Sequence, residues 1–381
     1  MPRIIVESGE FQGKTIKLPA EDEAGIGRDP ACFLHLPDRR VSRLHIVLVP
    51  SGGKYLLEDQ GSSNGTYVNG QRVKQKTLHP GDMIQVGGTY LSFVDEKDDP
   101  LVGTTVAGYR VERRLGRGGM GTVYLAAQIS LDRPAALKIL SRDLAEDGEF
   151  VERFLREARS AARLNHPNVV QVYNAGQEGD LFYLSMEFMQ GGSLQGVLDR
   201  EGRLSPARIV PLILGAAEAL VWAEQNNIVH RDIKPDNLML DANGNLKIGD
   251  FGIAADRRTS KTLYDGGKIV GTPHYMAPEQ ALGKRVDHRA DIYALGSTIY
   301  TALGGIPPFE GETPTEILLK KVKDSPPPLS KLAPDLPKNL VLAVEKMMAM
   351  EPEKRFQSAK EVCQVLSDIA KALQAPEKKP K

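Results

Sequence analysis

The chain of 381 residues has two cysteines, one tryptophan and no net charge, and each shortage excludes something. Cys32 and Cys363 lie near opposite ends. A disulfide framework does not fit, and a reducing cytoplasm does. No Cys-x-x-Cys or Cys/His cluster suggests a structural zinc site. The 49 Lys and Arg residues are balanced by 49 Asp and Glu. A general nucleic-acid binder carries a basic excess, and a disordered chain is usually strongly charged, so neither is expected. Charge arrives at Glu7, before a signal-peptide apolar core can form. The longest weakly apolar, uncharged run, residues 292–309, is interrupted by Gly296, Gly304, Gly305, Pro307 and Pro308. A membrane span needs roughly 20 mostly apolar residues. The run therefore reads as a buried helix plus a turn, and no membrane span is expected.

At about 150 residues per domain, the length predicts two or three domains. Residues 1–94 read as all-β. Ile4-Ile5-Val6, Thr15-Ile16-Lys17-Leu18, Ile46-Val47-Leu48-Val49, Tyr55-Leu56-Leu57 and Tyr90-Leu91-Ser92-Phe93 are short apolar or β-branched runs. Gly, Pro, Asn and Asp separate them at hairpin spacing, and Asn64-Gly65 and Asn69-Gly70 are hairpin signals. Residues 95–108, opening on an acidic run, read as a linker. From Tyr109 strand-like runs come first. Helical patterns follow at 147–163, with Phe150, Phe154, Ala158 and Ala161 on one stripe, and at 206–227, 279–304 and 338–372. Residues 373–381 read as a frayed tail.

Gly116-Arg-Gly118-Gly119-Met120-Gly121 lets a backbone approach phosphates and aim N–H groups at them. The next residues, Thr122-Val123-Tyr124-Leu125, look like a strand, so a β-hairpin flap over a nucleotide is expected rather than a dinucleotide fold. Lys138 sits in an almost wholly apolar strand, Ala135-Ala136-Leu137-Lys138-Ile139-Leu140. A buried cation needs an anion. Glu157, on the stripe with Phe154 and Ala161, is the candidate. His230-Arg231-Asp232-Ile-Lys234-Pro-Asp236-Asn237 lies between apolar runs, and Asp250-Phe251-Gly252 follows another. Two aspartates with Asn237 and Lys234 suit a divalent cation and a polyphosphate.

These motifs, with Ala277-Pro278-Glu279, occur in the order seen in eukaryotic-type (Hanks-type) Ser/Thr protein kinases, which residues 109–372 resemble. The resemblance implies an α+β bilobal kinase fold and a non-specific serine/threonine protein kinase (EC 2.7.11.1). It makes Asp232 the group that accepts or orients the substrate hydroxyl proton. Asn237 and Asp250 become ligands of Mg²⁺, or of Mn²⁺ in its place. Lys138 contacts the α- and β-phosphates of ATP, fixed by Glu157, and Lys234 steadies the γ-phosphate. Leu115, Gly116, Gly118, Gly119, Gly121 and Val123 would bind ATP. Glu187 and Met189 would form the adenine hinge, with Met186 behind it. His230 and Phe251 would pack inside, Glu279 would pair with Arg355, and Asp291 would brace the catalytic loop. Lys234 and Thr272 are the Ser/Thr rather than the Tyr version of the pattern. Arg231 implies activation by a loop phosphate. The usable hydroxyls are Thr259, Ser260 and Thr262, and residues 263–271 hold no Ser or Thr. Autophosphorylation at Thr259 or Thr262 is therefore expected.

Gly27-Arg28, Ser42-Arg43-Leu44-His45 and Ser63-Asn64-Gly65-Thr66 fall on turns between strands. Together they resemble a forkhead-associated (FHA) domain, an all-β sandwich that binds phosphothreonine peptides. By that resemblance Arg28, Ser42, Arg43, Ser63 and Asn64 face the phosphopeptide and His45 orders the loop. A guanidinium with hydroxyl and amide donors suits a dianionic phosphate. The expected partners are protein substrates, phosphothreonine proteins and a second copy in trans. The rival readings are a phosphopeptide-binding scaffold with a silent kinase fold, and a nucleotide hydrolase without a protein substrate.

Overall fold

The computed structural model of the protein describes residues 2–8, 11, 14–52, 54–95, 99–118, 120–250, 273–311 and 313–374. The chain divides into two compact units. One is Met1–Glu146 with Gln177–Tyr183, and the other is Asp147–Gly176 with Leu184–Lys381.

The first 95 residues build two sheets. One runs in the order Thr15–Lys17, Pro2–Val6, Thr89–Asp95, Met83–Val86, Thr66–Val68, Gln71–Val73. The other runs Leu34–His35, Ala24–Gly27, Ile46–Ser51, Lys54–Asp59, Gln75–Thr77. Alternation decides which face is inward: Ile84 and Val86 of one sheet are buried, as are Tyr55 and Leu57 of the other. Both inner faces feed one core, in which Ile4, Ile26, Ile46, Leu57, Ile84 and Leu91 are almost completely buried. This is the expected sandwich.

Asn69 (φ 52°) and Gly70 (φ 78°) are both left-handed and close a hairpin between Thr66–Val68 and Gln71–Val73. Asn64-Gly65 does not. The strands on either side of it, Lys54–Asp59 and Thr66–Val68, lie in different sheets, so this turn carries the chain from one layer to the other.

A third sheet takes the order Thr105–Val106, Tyr109–Gly118, Gly121–Gln128, Arg133–Leu140, Leu181–Glu187, Val172–Glu178. Its first strand lies inside the stretch expected to be linker. Thr105 pairs with Arg110 and Val106 with Tyr109, and Val106 is buried, which an acidic linker reading overlooks. The flap hairpin closes with Gly118 opposite Gly121. Gly121 has φ 150°, and a Cβ there would stand 1.9 Å from the Ile139 carbonyl oxygen, so no other residue fits.

The second unit is mainly helical. Gly148–Ala161 starts at Asp147, whose side chain accepts from Phe150 N, and it buries Val151, Phe154, Ala158 and Ala161. Phe150 of the expected stripe is only half-buried. Pro206–Gln225 is long and apolar enough to cross a membrane by length and composition, yet it buries Ile209, Val210, Ile213, Ala216, Ala217, Ala219, Leu220 and Ala223 within the unit. Two expected helices are each broken in two. The pattern at 279–304 divides into Pro278–Ala281 and Arg289–Gly304, interrupted by Gly283 at φ 63°. That at 338–372 divides into Lys338–Met347 and Ala359–Gln374, with Pro352 opening a short 3₁₀ turn between them. Leu194–Glu201 and Pro314–Lys323 are helices that periodicity alone does not single out.

The second break has a use. It places Arg355 where both of its terminal nitrogens donate to Glu279, at 2.7 Å each. The Arg355 side chain is 0% exposed, and its remaining donors reach the carbonyls of Ala349, Arg289 and Met350. A fully hydrogen-bonded, bidentate pair tolerates burial, whereas one partner left alone does not. Glu279→Ala should therefore destabilise the helical unit by about 3–5 kcal/mol. The fluorescence of Trp222, the chain's single tryptophan, followed through a urea titration, measures this loss.

Candidate active site

The segment after Pro206–Gln225 owes its shape to one carboxylate. Asp291, 3% exposed at the start of Arg289–Gly304, accepts from His230 N through Oδ2 and from Arg231 N through Oδ1, both at 2.7 Å. Burial pushes the Asp291 carboxyl above its usual range, opposed by His230 and by these two bonds. With its backbone pinned there, Arg231 takes φ 67°, a left-handed conformation rare outside glycine. His230 is fully buried. Its Nδ1 accepts from Asp232 N at 3.2 Å, so its Nε2 carries the proton and donates to the Gly249 carbonyl at 3.0 Å. Both ring nitrogens are engaged in holding backbone, which is the packing role expected for it.

Asp232, Lys234 and Asn237 come together. Lys234 Nζ lies 3.1 Å from Asp232 Oδ2. Asn237 Nδ2 donates to the Asp232 carbonyl at 2.7 Å and to Asp232 Oδ2 at 3.1 Å. The two-stranded ladder of Leu238–Leu240 with Leu246–Ile248 brings the next segment alongside, and Gly249 N donates to the Asn237 carbonyl at 2.7 Å. Asp250 follows directly, again at a positive φ of 53°.

The donor set suits a hard divalent cation. With Nδ2 engaged on Asp232, the Asn237 amide oxygen is the atom that would face a cation, and the backbone bond from Gly249 N to the Asn237 carbonyl brings the Asp250 segment alongside. An amide oxygen and a carboxylate, completed by phosphate and water, would be the oxygen-only donor set that Mg²⁺ usually takes. Among the described residues no group of three His, Cys, Asp or Glu forms a metal cage.

The other expected nucleotide contacts are distributed over both units. In the first, Lys138 is 9% exposed on Arg133–Leu140, paired in register with Val123. Leu115, Gly116 and Val123 are half-buried, Gly118 faces Gly121 across the hairpin, and a Cβ at Gly116 would meet nothing within 4 Å. In the second, Glu157 is half-buried on Gly148–Ala161 and Met189 is buried. Met186 lines a small cavity with Val170, Leu184 and Asp250. Glu187 carries a surprise: its carboxylate is held by Lys247 Nζ at 2.6 and 2.9 Å. Any hinge role there belongs to its backbone. Lys247 sits between the buried Leu246 and Ile248, and that alternation was the available signal that it points the other way. Gln280 was also missed. Its Nε2 donates to the Arg231 carbonyl at 3.0 Å. Gly119, Phe251, Gly252, Thr272 and the expected phosphorylation sites Thr259 and Thr262 lie outside the described residues.

In the sandwich, the three motifs meet at one edge. Arg28 N donates to the Ser42 carbonyl at 2.9 Å and Arg28 Nε to the Val41 carbonyl at 3.2 Å. Ser42 Oγ accepts from Ser63 N at 3.2 Å, and Asn64 Nδ2 donates to the Arg40 carbonyl at 2.6 Å. Arg28, Arg43, Ser63 and Asn64 are exposed. A Cβ on Gly27 would stand 2.1 Å from the Arg43 carbonyl oxygen, so glycine is what lets the Arg28 and Arg43 loops close on each other. His45, fully buried, accepts from Ser42 N through Nδ1 at 3.1 Å and donates from Nε2 to the Gly65 carbonyl at 3.3 Å. Burial holds its pKa below the usual imidazole range, which keeps the neutral form these two bonds require. Asp59, not singled out from sequence, organises the 61–66 turn by accepting from Gly61 N, Ser62 N and Thr66 Oγ1. Burial pushes its carboxyl up, but the bonds from Ser62 and Thr66 outweigh this and hold it below the usual range.

Comparison with known proteins agrees with this geometry. The protein kinase domain model matches residues 109–366, and the FHA domain model matches residues 25–87. The chain is 40% identical over 263 residues to the serine/threonine-protein kinase PrkC of Bacillus subtilis, covering 69% of this chain and 40% of that protein. It is 41% identical over 259 residues to PknB of Mycobacterium tuberculosis, covering 67% and 41%. The chain thus spans well under half the length of these relatives. Among solved structures, the PknI kinase domain of Mycobacterium tuberculosis superposes with a TM-score of 0.55 at 33% identity, over 70% of this chain and 98% of that one. Rad53 1–466, at 24% identity and a TM-score of 0.57, covers 97% of this chain and 99% of its own, and so shares the fold along nearly the whole length. The chain belongs to the protein kinase family, of the bacterial Hanks type, and carries an FHA domain ahead of its kinase domain.

Proposed function

We propose that this chain transfers the γ-phosphoryl group of ATP to Ser and Thr hydroxyls of proteins. It also phosphorylates its own 253–276 loop, at Thr259 or Thr262, and uses its FHA domain to recruit phosphothreonine proteins, a second copy included. The observation that carries the reading is the Asn237 amide, which donates to the Asp232 carboxylate through Nδ2, while Gly249, the residue before Asp250, is bonded to the Asn237 carbonyl.

In this reading Asp232 takes the proton of the acceptor hydroxyl as the oxygen–phosphorus bond forms, and the bond to the ADP oxygen breaks. Lys234, ion-paired to Asp232, supplies positive charge next to the transferring group. Lys138, Glu157 and the loop from Leu115 to Val123 bind and orient the nucleotide. Asn237 and Asp250 would hold Mg²⁺, which neutralises phosphate charge when bound. The protein contributes position and electrostatics, since phosphoryl transfer leaves it little covalent chemistry to perform. Soluble, cytoplasmic operation is part of the same proposal.

Two experiments separate this reading from a silent scaffold and from a hydrolase. With γ-labelled ATP and Mg²⁺, wild type should label an acceptor protein and its own 253–276 peptide. Asp232→Asn should lose about 10²–10⁴-fold of that rate. Phosphate release without labelled protein points to hydrolysis, and equal labelling by both forms removes Asp232 from the mechanism. Separately, Arg28→Ala should weaken binding of a phosphothreonine peptide at least tenfold by fluorescence anisotropy while peptide phosphorylation proceeds at the wild-type rate. Undiminished binding by that variant places the phosphate elsewhere.

A further inference from the structure

Lys321, on the helix Pro314–Lys323, is 1% exposed. Its ammonium donates to the His274 carbonyl at 2.8 Å and lies 3.5 Å from the Tyr293 hydroxyl. It stands 5.0 Å from the centre of the Tyr293 ring and 4.9 Å from that of Phe309. No carboxylate forms an ion pair with it among the described residues. Burial, helped by the neighbouring Arg355 guanidinium, pushes its pKa down to about 7. A leucine or methionine would fill the same space between two aromatic rings without the cost of desolvating a cation. What the lysine adds over these two is a donor for the His274 carbonyl.

That carbonyl belongs to a segment wired to the catalytic loop. Pro273–Tyr275 forms a 3₁₀ turn, and Ala277 N donates to Gln280 Oε1 at 2.9 Å. Gln280 Nε2 in turn donates to the carbonyl of Arg231, the residue before Asp232. Of residues 273–280 only His274 is not buried. His274 is thus the residue of this segment that an acceptor chain could touch, and Lys321 holds its backbone.

We propose that Lys321 is a positioning residue for the protein substrate: it fixes the His274 backbone as part of the surface that seats the acceptor chain beside Asp232. The inference rests on the phosphoryl-transfer reading and adds to it a residue outside the kinase motifs.

Steady-state kinetics on the full-length chain, with MgATP and myelin basic protein as acceptor, test it. Lys321→Met should raise KM for the acceptor at least fivefold and leave KM for ATP within twofold of wild type. Lys321→Arg keeps a cationic donor, and a cavity of about 340 Å³ lined in part by Lys321, Tyr293, Phe309 and Met348 gives its larger head room. It should recover most of the acceptor affinity. An unchanged acceptor KM in Lys321→Met overturns the inference, as does a parallel rise of both KM values, which marks a merely structural role. Should Lys321→Met fail to fold, Lys321→Leu, which also lacks a donor, is compared with Lys321→Arg on the same two constants, and equal acceptor KM values for that pair overturn it. Wild type that labels no acceptor removes the phosphoryl-transfer reading, and this inference with it.

Discussion

A single buried carboxylate sets the conformation of the catalytic loop. Asp291 gives one oxygen to each of two consecutive backbone N–H groups, those of His230 and Arg231. In a strand, neighbouring N–H groups point to opposite sides, and inside a helix they are already spent on carbonyls of the preceding turn. To aim both at one carboxylate the backbone must turn here, and the left-handed Arg231 belongs to that turn. Such a conformation costs of order 1–3 kcal/mol and persists only where its surroundings impose it. Here they do so from three sides: Asp291 from the helix behind, the His230 ring bonded to the Gly249 carbonyl, and Gln280 bonded to the Arg231 carbonyl. The outcome is an Asp232 carboxylate engaged by both Asn237 and Lys234. Preorganised charge of this kind is what phosphoryl transfer asks of a protein.

The sandwich uses the same device with different groups. Its exposed donors, Arg28, Ser63 and Asn64, stand on loops that have no regular structure to hold them. Polar side chains withdrawn from solvent do it instead: His45 joins the Ser42 and Gly65 segments, and Asp59 closes the 61–66 turn. In both domains the residues that would touch phosphate depend on polar groups that would not touch it and that grip backbone instead. A buried polar group is costly unless it is bonded. Asp291, His230, Gln280 and His45 are each bonded at least twice.

How much of this could be read from the sequence follows from what kind of signal each part leaves. The strands at Ile4, Ile46 and Tyr55 announce themselves by short apolar runs between turn residues, and the motif residues Asp232, Asn237 and Asp250 stand out as polar groups between apolar runs. Helix breaks are harder. The patterns at 279–304 and 338–372 keep a helical period across interruptions, because residues on both sides of each break are buried in the same unit. Only the partner Arg355 needs, which is distant in sequence, explains the second one. Asn64-Gly65 misleads for a similar reason: a positive φ serves a turn between sheets as well as a hairpin, and local sequence does not state which strands it joins. Lys247 and Lys321 are hidden by their own side chains. A lysine in a mixed segment reads as a solvated charge, and its burial is decided by helices and strands that arrive from elsewhere in the chain.

Lys247 also bears on the segment from Glu187 to Met189, where the resemblance puts the hinge. Its ammonium is 2.6 Å from the Glu187 carboxylate, and both side chains are mostly withdrawn from water, at 18% and 24% exposure. The pair joins the strand Leu246–Ile248 to the strand Leu181–Glu187 at its last residue. Glu187 N is bonded to the Gln171 carbonyl at 2.8 Å, and its carboxylate accepts from Gln171 N at 3.3 Å as well. The residue at this end of the strand is therefore fixed through backbone and side chain together. The segment just ahead of Asp250 and the end of the strand that leads to Met189 are thus tied to each other through Lys247 and Glu187. A substitution at Lys247 would be felt at both, although Lys247 belongs to neither motif.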